Sequence, residues 1–351
     1  MPPLGAGRLL PASSVTHARA GDCVAQARRA YCLPALINIG AQKAGTGELQ
    51  TWLGHHPAVL AHGGEVHFFD KWAHGQSCKS EAERDWLTMK YIRFLWDRRE
   101  LTPEAVTDGP LVLPVRPEDR TTLIASPQRW QGRNKTRDNF ALVKKVPFEK
   151  TPAYLDMADP ALFACVAPQV RLLVMLREPA ARAVSAYQMC QYELRLRWCR
   201  NSLEGAMSLA LNNRTEPPVL NQLHLFTHHP LRRVLTLGFY SAHLSHWLIH
   251  FPSSQMRVQW VEHFKADPFQ TLWAIESYLG LPHHDFRKQA TKNEAGLWVV
   301  GKSKSSNRVS RQTPDAGTIQ TLRRFYMPWQ RDLRMLLQAH NLSLMPHLPL
   351  P

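Results

Sequence analysis

Among the six cysteines of this chain no two stand in a CxxC pair, which leaves a structural zinc site with little support. Cys190 and Cys199 are close enough in sequence to be bridged in an oxidising compartment; for Cys23, Cys32, Cys78, Cys165 and these two, free buried thiols are at least as well supported. Adjacent histidines occur at His55/His56, His228/His229 and His283/His284, but neighbours in sequence point apart on helices and strands, so no metal site is expected. No apolar run approaches the ~20 residues that span a bilayer. The first thirty residues hold almost no acid and no sustained apolar core, which argues against a secretory signal. A disordered basic leader is expected over residues 1–32, with a transit peptide or the stalk of a membrane anchor as alternatives. Acids are scarce overall: 28 Asp and Glu face 43 Lys and Arg, a formal net charge of +15. That excess concentrates anionic partners. An anionic glycan or a multiply phosphorylated cofactor fits it, whereas no signature of a nucleic-acid module accompanies it, so no nucleic-acid partner is expected.

What the sequence does contain begins with "LPALINIGAQKAGTGELQTWLGHHP", Leu33 to Pro57. An apolar run breaks at Gly40 and restarts near Thr46 with Leu49, Trp52 and Leu53 at helical spacing. Gly40 and Gly45 have the gap of a Walker A loop, whose backbone N–H groups and helix N-terminus cradle phosphate. The lysine, however, is Lys43, inside the loop, and Thr46 stands where Walker A has its lysine. The loop therefore points to phosphate but not to ordinary ATP.

Further along, "EVHFFDK" reads as a strand end or tight loop, and Ser80 to Glu100 as a helix with Ser80 as N-cap and Glu83 three residues on. Leu101 to Asn139 lacks periodicity and reads as irregular, forming most of a long insertion at about 71–139. Strands are expected at Phe140–Val146, Val170–Arg177 and Met256–His263. Helices are expected from Pro179, near Ser202–Asn212, and over Tyr240–His250, Asp267–Leu279 and Asp315–His340. Alternating strands and helices imply an α/β fold, a P-loop-like single domain with a central parallel sheet flanked by helices. Its span is placed at 33–342, with 343–351 as a tail. Ligands of such sheets collect at the C-terminal strand ends. Three of these ends supply Lys43, Lys150 and Arg177, enough cations to grip more than one anionic group.

Four blocks, "IGAQKAGTGELQTWLGHHPAV", "EVHFFD", "EKTPAY" and "LLVMLREPAARAVSAY", resemble the sulfotransferases that use 3′-phosphoadenosine 5′-phosphosulfate (PAPS). Within them the chain is most similar to the heparan sulfate glucosaminyl 3-O-sulfotransferase group. The resemblance implies that Gly40, Gln42, Lys43, Ala44, Gly45, Thr46 and Gly47 bind the 5′-phosphosulfate, with Lys43 beside the bridging oxygen. It implies a 3′-phosphate site at Arg177 and Ser185, and Glu65 as the base that takes the acceptor hydroxyl's proton. His67 is the fallback base, sharing a face with Glu65 if the segment is extended. Asp70 positions these groups, and Lys150 lies near the sulfuryl group and acceptor. PAPS is the donor, the 3′,5′-bisphosphate PAP the product, and no metal is required.

The family's C-terminal Lys-Gly-Arg loop corresponds here to "GKSKSSNRVS", where Lys304 fits and Arg308 is a displaced substitute. The cysteine-bracketed hairpin of the heparan group is missing before it. An anionic glycan is the first expectation for the acceptor and a small alcohol, phenol or amine the alternative. A P-loop kinase and a non-catalytic polyanion binder are the remaining readings. Sequons at Asn134, Asn213 and Asn341 are compatible with a Golgi-lumen enzyme if the chain lacks its anchor; otherwise a soluble cytoplasmic enzyme is expected.

Overall fold

A computed structural model describes residues 7–11, 15, 18–97, 101–107, 141–143, 145–195, 203, 230–301 and 314–346. In chain order its strands are β1 (Gly7–Pro11), β2 (Cys23–Gln26), β3 (Arg29–Cys32), β4 (Leu36–Gly40), β5 (Val59–Ala61), β6 (Ala141–Val143), β7 (Val146–Lys150), β8 (Arg171–Leu176), β9 (Met256–Trp260), and an antiparallel pair, β10 (Ala290–Lys292) and β11 (Trp298–Val300). Five of these pair in parallel in the order β5-β7-β4-β8-β9. The three inner strands are buried along their whole length, as parallel strands covered by helices on both faces must be.

The strand expected at Phe140–Val146 divides in two. Ala141–Val143 pairs antiparallel with β1, and the central strand is Val146–Lys150. Pro147 and the charged pair Glu149–Lys150 disguise that strand in the sequence. The Pro147 carbonyl still accepts from the Ala35 N–H at 2.9 Å, and Glu149 and Lys150 are buried. "EVHFFDK" is not a strand end: a loop carries Glu65, and a single π-helical turn follows at Phe68–Trp72. The strand at Met256 stops at Trp260, and a helix takes Val261–Ala266.

The described residues within 1–32 also differ from the disordered leader expected there. They supply three strands of a second sheet, ordered β3-β2-β1-β6, that bury Leu10, Val24, Ala30 and Tyr31. Short strands leave little periodicity to read; side-chain bonds hold them instead. Asp22 accepts from the Arg8 guanidinium at 2.7 Å, and a Cys23–Cys32 disulfide joins directly opposed residues of β2 and β3. A second disulfide, Cys78–Cys165, closes a separation of 87 residues, and Cys190 is disulfide-bonded as well. No described cysteine is a free thiol.

Helix α1 (Thr46–Leu53) follows β4, and helix α2 (Glu81–Trp96) opens at Ser80, whose hydroxyl accepts from the Glu83 N–H at 3.2 Å. The Glu83 carboxylate reaches the Lys79 N–H at 2.6 Å. Helices at Tyr240–Leu248, Pro268–Leu279 and Ala316–Ala339 fall within the expected spans. The helix expected near Ser202–Asn212 lies outside the described residues apart from Leu203, as do Lys304, Arg308, Asn134 and Asn213. Within the insertion at about 71–139, α2 and a short helix at Pro103–Thr107 are described.

Candidate active site

The loop after β4 is shaped by two close approaches. A Cβ on Gly40 would lie 2.7 Å from Leu155 Cβ and 2.9 Å from the Pro152 carbonyl, and a Cβ on Gly45 would lie 2.6 Å from Val261 Cγ2. Gly45 also has φ +80, a left-handed conformation that side chains disfavour. Together these contacts press the turn against the chain after β7 and after β9. Lys43 itself is left-handed, with φ 69. Helix α1 then starts with Thr46 buried and Gly47 exposed, and no side chain caps it. The first turn of a helix leaves N–H donors without intrahelical partners, so this end of α1 suits an anion.

Arg177 follows β8, where one of its Nη atoms donates to the Lys43 carbonyl at 3.3 Å. Burial lowers its pKa while Glu262 and Glu178 oppose the shift; an arginine so placed stays cationic. Ser185 is half-buried on the next helix, Pro179–Gln188. The Lys43 ammonium meets Glu193 at 3.9 Å, a partner 150 residues away that no sequence motif signals.

Gln50 of α1 donates to the carbonyl of Gly64 at 3.2 Å, and the next residue, Glu65, has its side chain 38% exposed and held from two sides. Lys150, from the end of β7, donates to one carboxylate oxygen at 2.8 Å, and His67 Nε2 lies 3.3 Å from the other. His67 Nδ1 bonds to Asp70 at 2.7 Å, which turns Nε2 toward Glu65. The segment is not extended, since His67 has φ 57; a left-handed turn, and not strand alternation, brings the two together.

Beneath them sits Glu149, fully buried, the first residue of the "EKTPAY" block, for which the sequence suggests no role. It accepts from the Thr151 hydroxyl at 2.9 Å and from the hydroxyls of Tyr91 and Tyr154. Thr151 Oγ1 and the Tyr154 hydroxyl oxygen in turn accept the N–H groups of Val66 (2.8 Å) and Phe68 (3.1 Å), either side of His67. One carboxylate thus fixes both ends of the turn that carries the Glu65–His67 pair. Tyr91 comes from α2, so the insertion contributes directly to this support.

A model of the sulfotransferase domain matches residues 33–318. The chain belongs to the sulfotransferase domain family. The chain is 26% identical over 308 residues to heparan sulfate glucosamine 3-O-sulfotransferase 3B1 of Homo sapiens, covering 85% of this chain and 61% of that protein. It is 25% identical over 310 residues to heparan sulfate glucosamine 3-O-sulfotransferase 6 of Homo sapiens, covering 85% and 70%. The chain thus spans about three fifths of the length of the 3B1 relative. Among solved structures, a sulfotransferase from Alicyclobacillus acidocaldarius shares the fold with a TM-score of 0.54 at 18% identity, covering 87% of this chain and 96% of that one.

The protein contains no group of three or more potential metal ligands among its described residues. Its most perturbed carboxyl near the site is Glu149: burial pushes its pKa up to about 7, outweighing the three hydroxyls that lower it. A carboxyl that binds its proton more tightly when folded adds stability at low pH, fully below the unfolded value of 4.5 and not at all above about 7. Between about pH 5 and pH 8 the protein should therefore lose roughly 2–3 kcal/mol relative to its Glu149→Gln variant. Chemical denaturation of both across that range measures it, and parallel curves would reject the assignment.

Proposed function

We propose that this sulfotransferase moves the sulfuryl group of PAPS to a hydroxyl on an acidic glycan, with Glu65 as the base. The observation that carries the reading is the Glu65 carboxylate, gripped by Lys150 and facing His67 next to a phosphate-shaped loop. The loop fits the donor in two respects: side chains are excluded at Gly40 and Gly45, and α1 opens without a cap. The donor supplies a sulfuryl group on a phosphate leaving group. Lys43, Gly45, Thr46 and Gly47 hold the 5′ end, while Arg177 and Ser185 take the 3′-phosphate with a guanidinium fork and a hydroxyl.

As the acceptor hydroxyl loses its proton to Glu65, that carboxylate ceases to neutralise Lys150. The charge of Lys150 then becomes available to the reacting group, where negative charge is growing. Lys43 acts at the leaving oxygen, so both cations favour the transition state over the bound reactants. The relatives' names specify heparan sulfate glucosamine, which with the charge of +15 supports an anionic glycan over a small alcohol, phenol or amine. The disulfides support an oxidising compartment such as the Golgi lumen over the cytoplasm.

Binding separates these readings from ATP chemistry. At a hundredfold excess over Kd, PAP should stabilise the protein by about 2.7 kcal/mol, and ADP and ATP should do much less. Arg177→Ala should weaken PAP binding by roughly tenfold to a hundredfold. A thermal-shift titration reads both effects; equal stabilisation by ADP would overturn the donor assignment. Transfer from labelled PAPS to heparan sulfate, and not to small alcohols, phenols or amines, then tests the acceptor class.

A further inference from the structure

Helix α2 is apolar on two sides. Leu87, Tyr91, Ile92, Leu95 and Trp96 are buried against the body, whereas Trp86 and Phe94 are each 48% exposed. Trp86, Lys90 and Phe94 recur every four residues and so share one face of the helix. Trp72, 39% exposed, lies across that face with its ring 6.2 Å from Trp86 and 6.3 Å from Phe94. The Lys90 ammonium sits 5.4 Å from both indole centroids. Solvent thus meets a row of three aromatic rings with one cation among them.

This row is rigidly joined to the catalytic turn. Trp72 ends the π-helical turn that begins one residue after His67, and it stacks at 5.1 Å on buried Phe68, whose N–H is held by Tyr154. The chemistry of the row narrows its occupant. Lysine is depleted at protein–protein interfaces. Anionic lipid attracts clusters of basic residues, but on α2 Glu81, Glu83 and Asp85 offset Arg84, Lys90 and Arg93. An acidic sugar matches the row better, because its C–H faces pack on aromatic rings while its charged group meets an ammonium. Apolar walls with few, well-placed polar groups are the usual make-up of a ligand site.

We propose that Trp72, Trp86, Phe94 and Lys90 form an outlying acceptor subsite, stacking a pyranose ring on the indoles and pairing its carboxylate or sulfate with Lys90. The inference rests on the glycan reading above and extends it to a stretch of chain beyond the reacting sugar. The test uses the full chain, a heparan sulfate octasaccharide and its desulfated, carboxyl-reduced counterpart, with binding read by calorimetry. Trp86→Ala should weaken octasaccharide binding on the order of tenfold. Lys90→Gln should cut the preference for the charged octasaccharide by roughly two- to fivefold. Both side chains are exposed, and PAP affinity, unchanged in both variants, checks that the fold is kept. If both variants bind the octasaccharide like wild type, the subsite is overturned while the glycan reading stands. A wild-type protein that binds PAP but ignores the octasaccharide overturns both. Self-association or binding to anionic vesicles that Trp86→Ala abolishes, with octasaccharide affinity intact, gives the row to another occupant and overturns the subsite.

Discussion

Glu65→Gln is expected to lower kcat by roughly 10²–10⁴-fold, the range for loss of a positioned general base, with PAP affinity nearly unchanged. Glutamine is the informative replacement. Its carbonyl oxygen can still accept from Lys150, whose side chain is 7% exposed and would otherwise be left as a buried charge without a partner. The variant thus removes proton acceptance while keeping shape and the hydrogen bond. Rapid-quench measurement of single-turnover transfer isolates the chemical step from product release. Unchanged turnover would eliminate Glu65 as base and leave His67, already turned toward the same point by Asp70, as the replacement candidate. A polyanion-binding protein would show no effect in any assay of function.

Lys43→Ala is expected to lower kcat by roughly 10²–10³-fold, the scale for removing one preorganised group from a developing anion. The acceptor KM should stay near wild type, because Lys43 belongs to the donor side. Both residues have a Cβ, so the left-handed backbone at this position is equally disfavoured before and after the change. The ion pair with Glu193 at 3.9 Å also disappears, but half-exposed pairs of that length contribute little. Loss of donor affinity without loss of kcat would recast Lys43 as a ground-state binding group.

Which parts of this site were legible in the sequence follows from how each is held. Gly40, Lys43, Gly45 and Thr46 stand out because a strand-to-helix turn that excludes side chains needs glycine at fixed places. Arg177 stands out because it ends the apolar run of β8. Lys150 stands out as a strand-end cation, whereas Glu65, His67 and Asp70 were singled out through motif resemblance, and their contacts depend on a left-handed residue and a π-helical turn that leave no periodic signature. The role of Glu149 was missed for a different reason: beside Lys150 at a strand end nothing local marks it as buried, and one of its partners, Tyr91, lies 58 residues away. Distance in sequence likewise hid the Cys78–Cys165 disulfide, while a central strand containing Pro147 defeated the apolar-run criterion.

The ends of residues 108–140 have a consequence for how such enzymes diversify. The helix Pro103–Thr107 packs on both β3 and β6, so the chain leaves and re-enters the body at neighbouring points, and the Cys78–Cys165 clasp encloses the whole span. Ends held this close can be bridged by connections of very different length: each doubling of a flexible connection costs only about 0.6 kcal/mol, so the frame around Glu65 need not depend on which one joins them. Replacing residues 110–138 by a short Gly/Ser linker should accordingly shift Tm by no more than a few degrees, as scanning calorimetry would show. Unfolding of that variant would instead make the segment part of the frame.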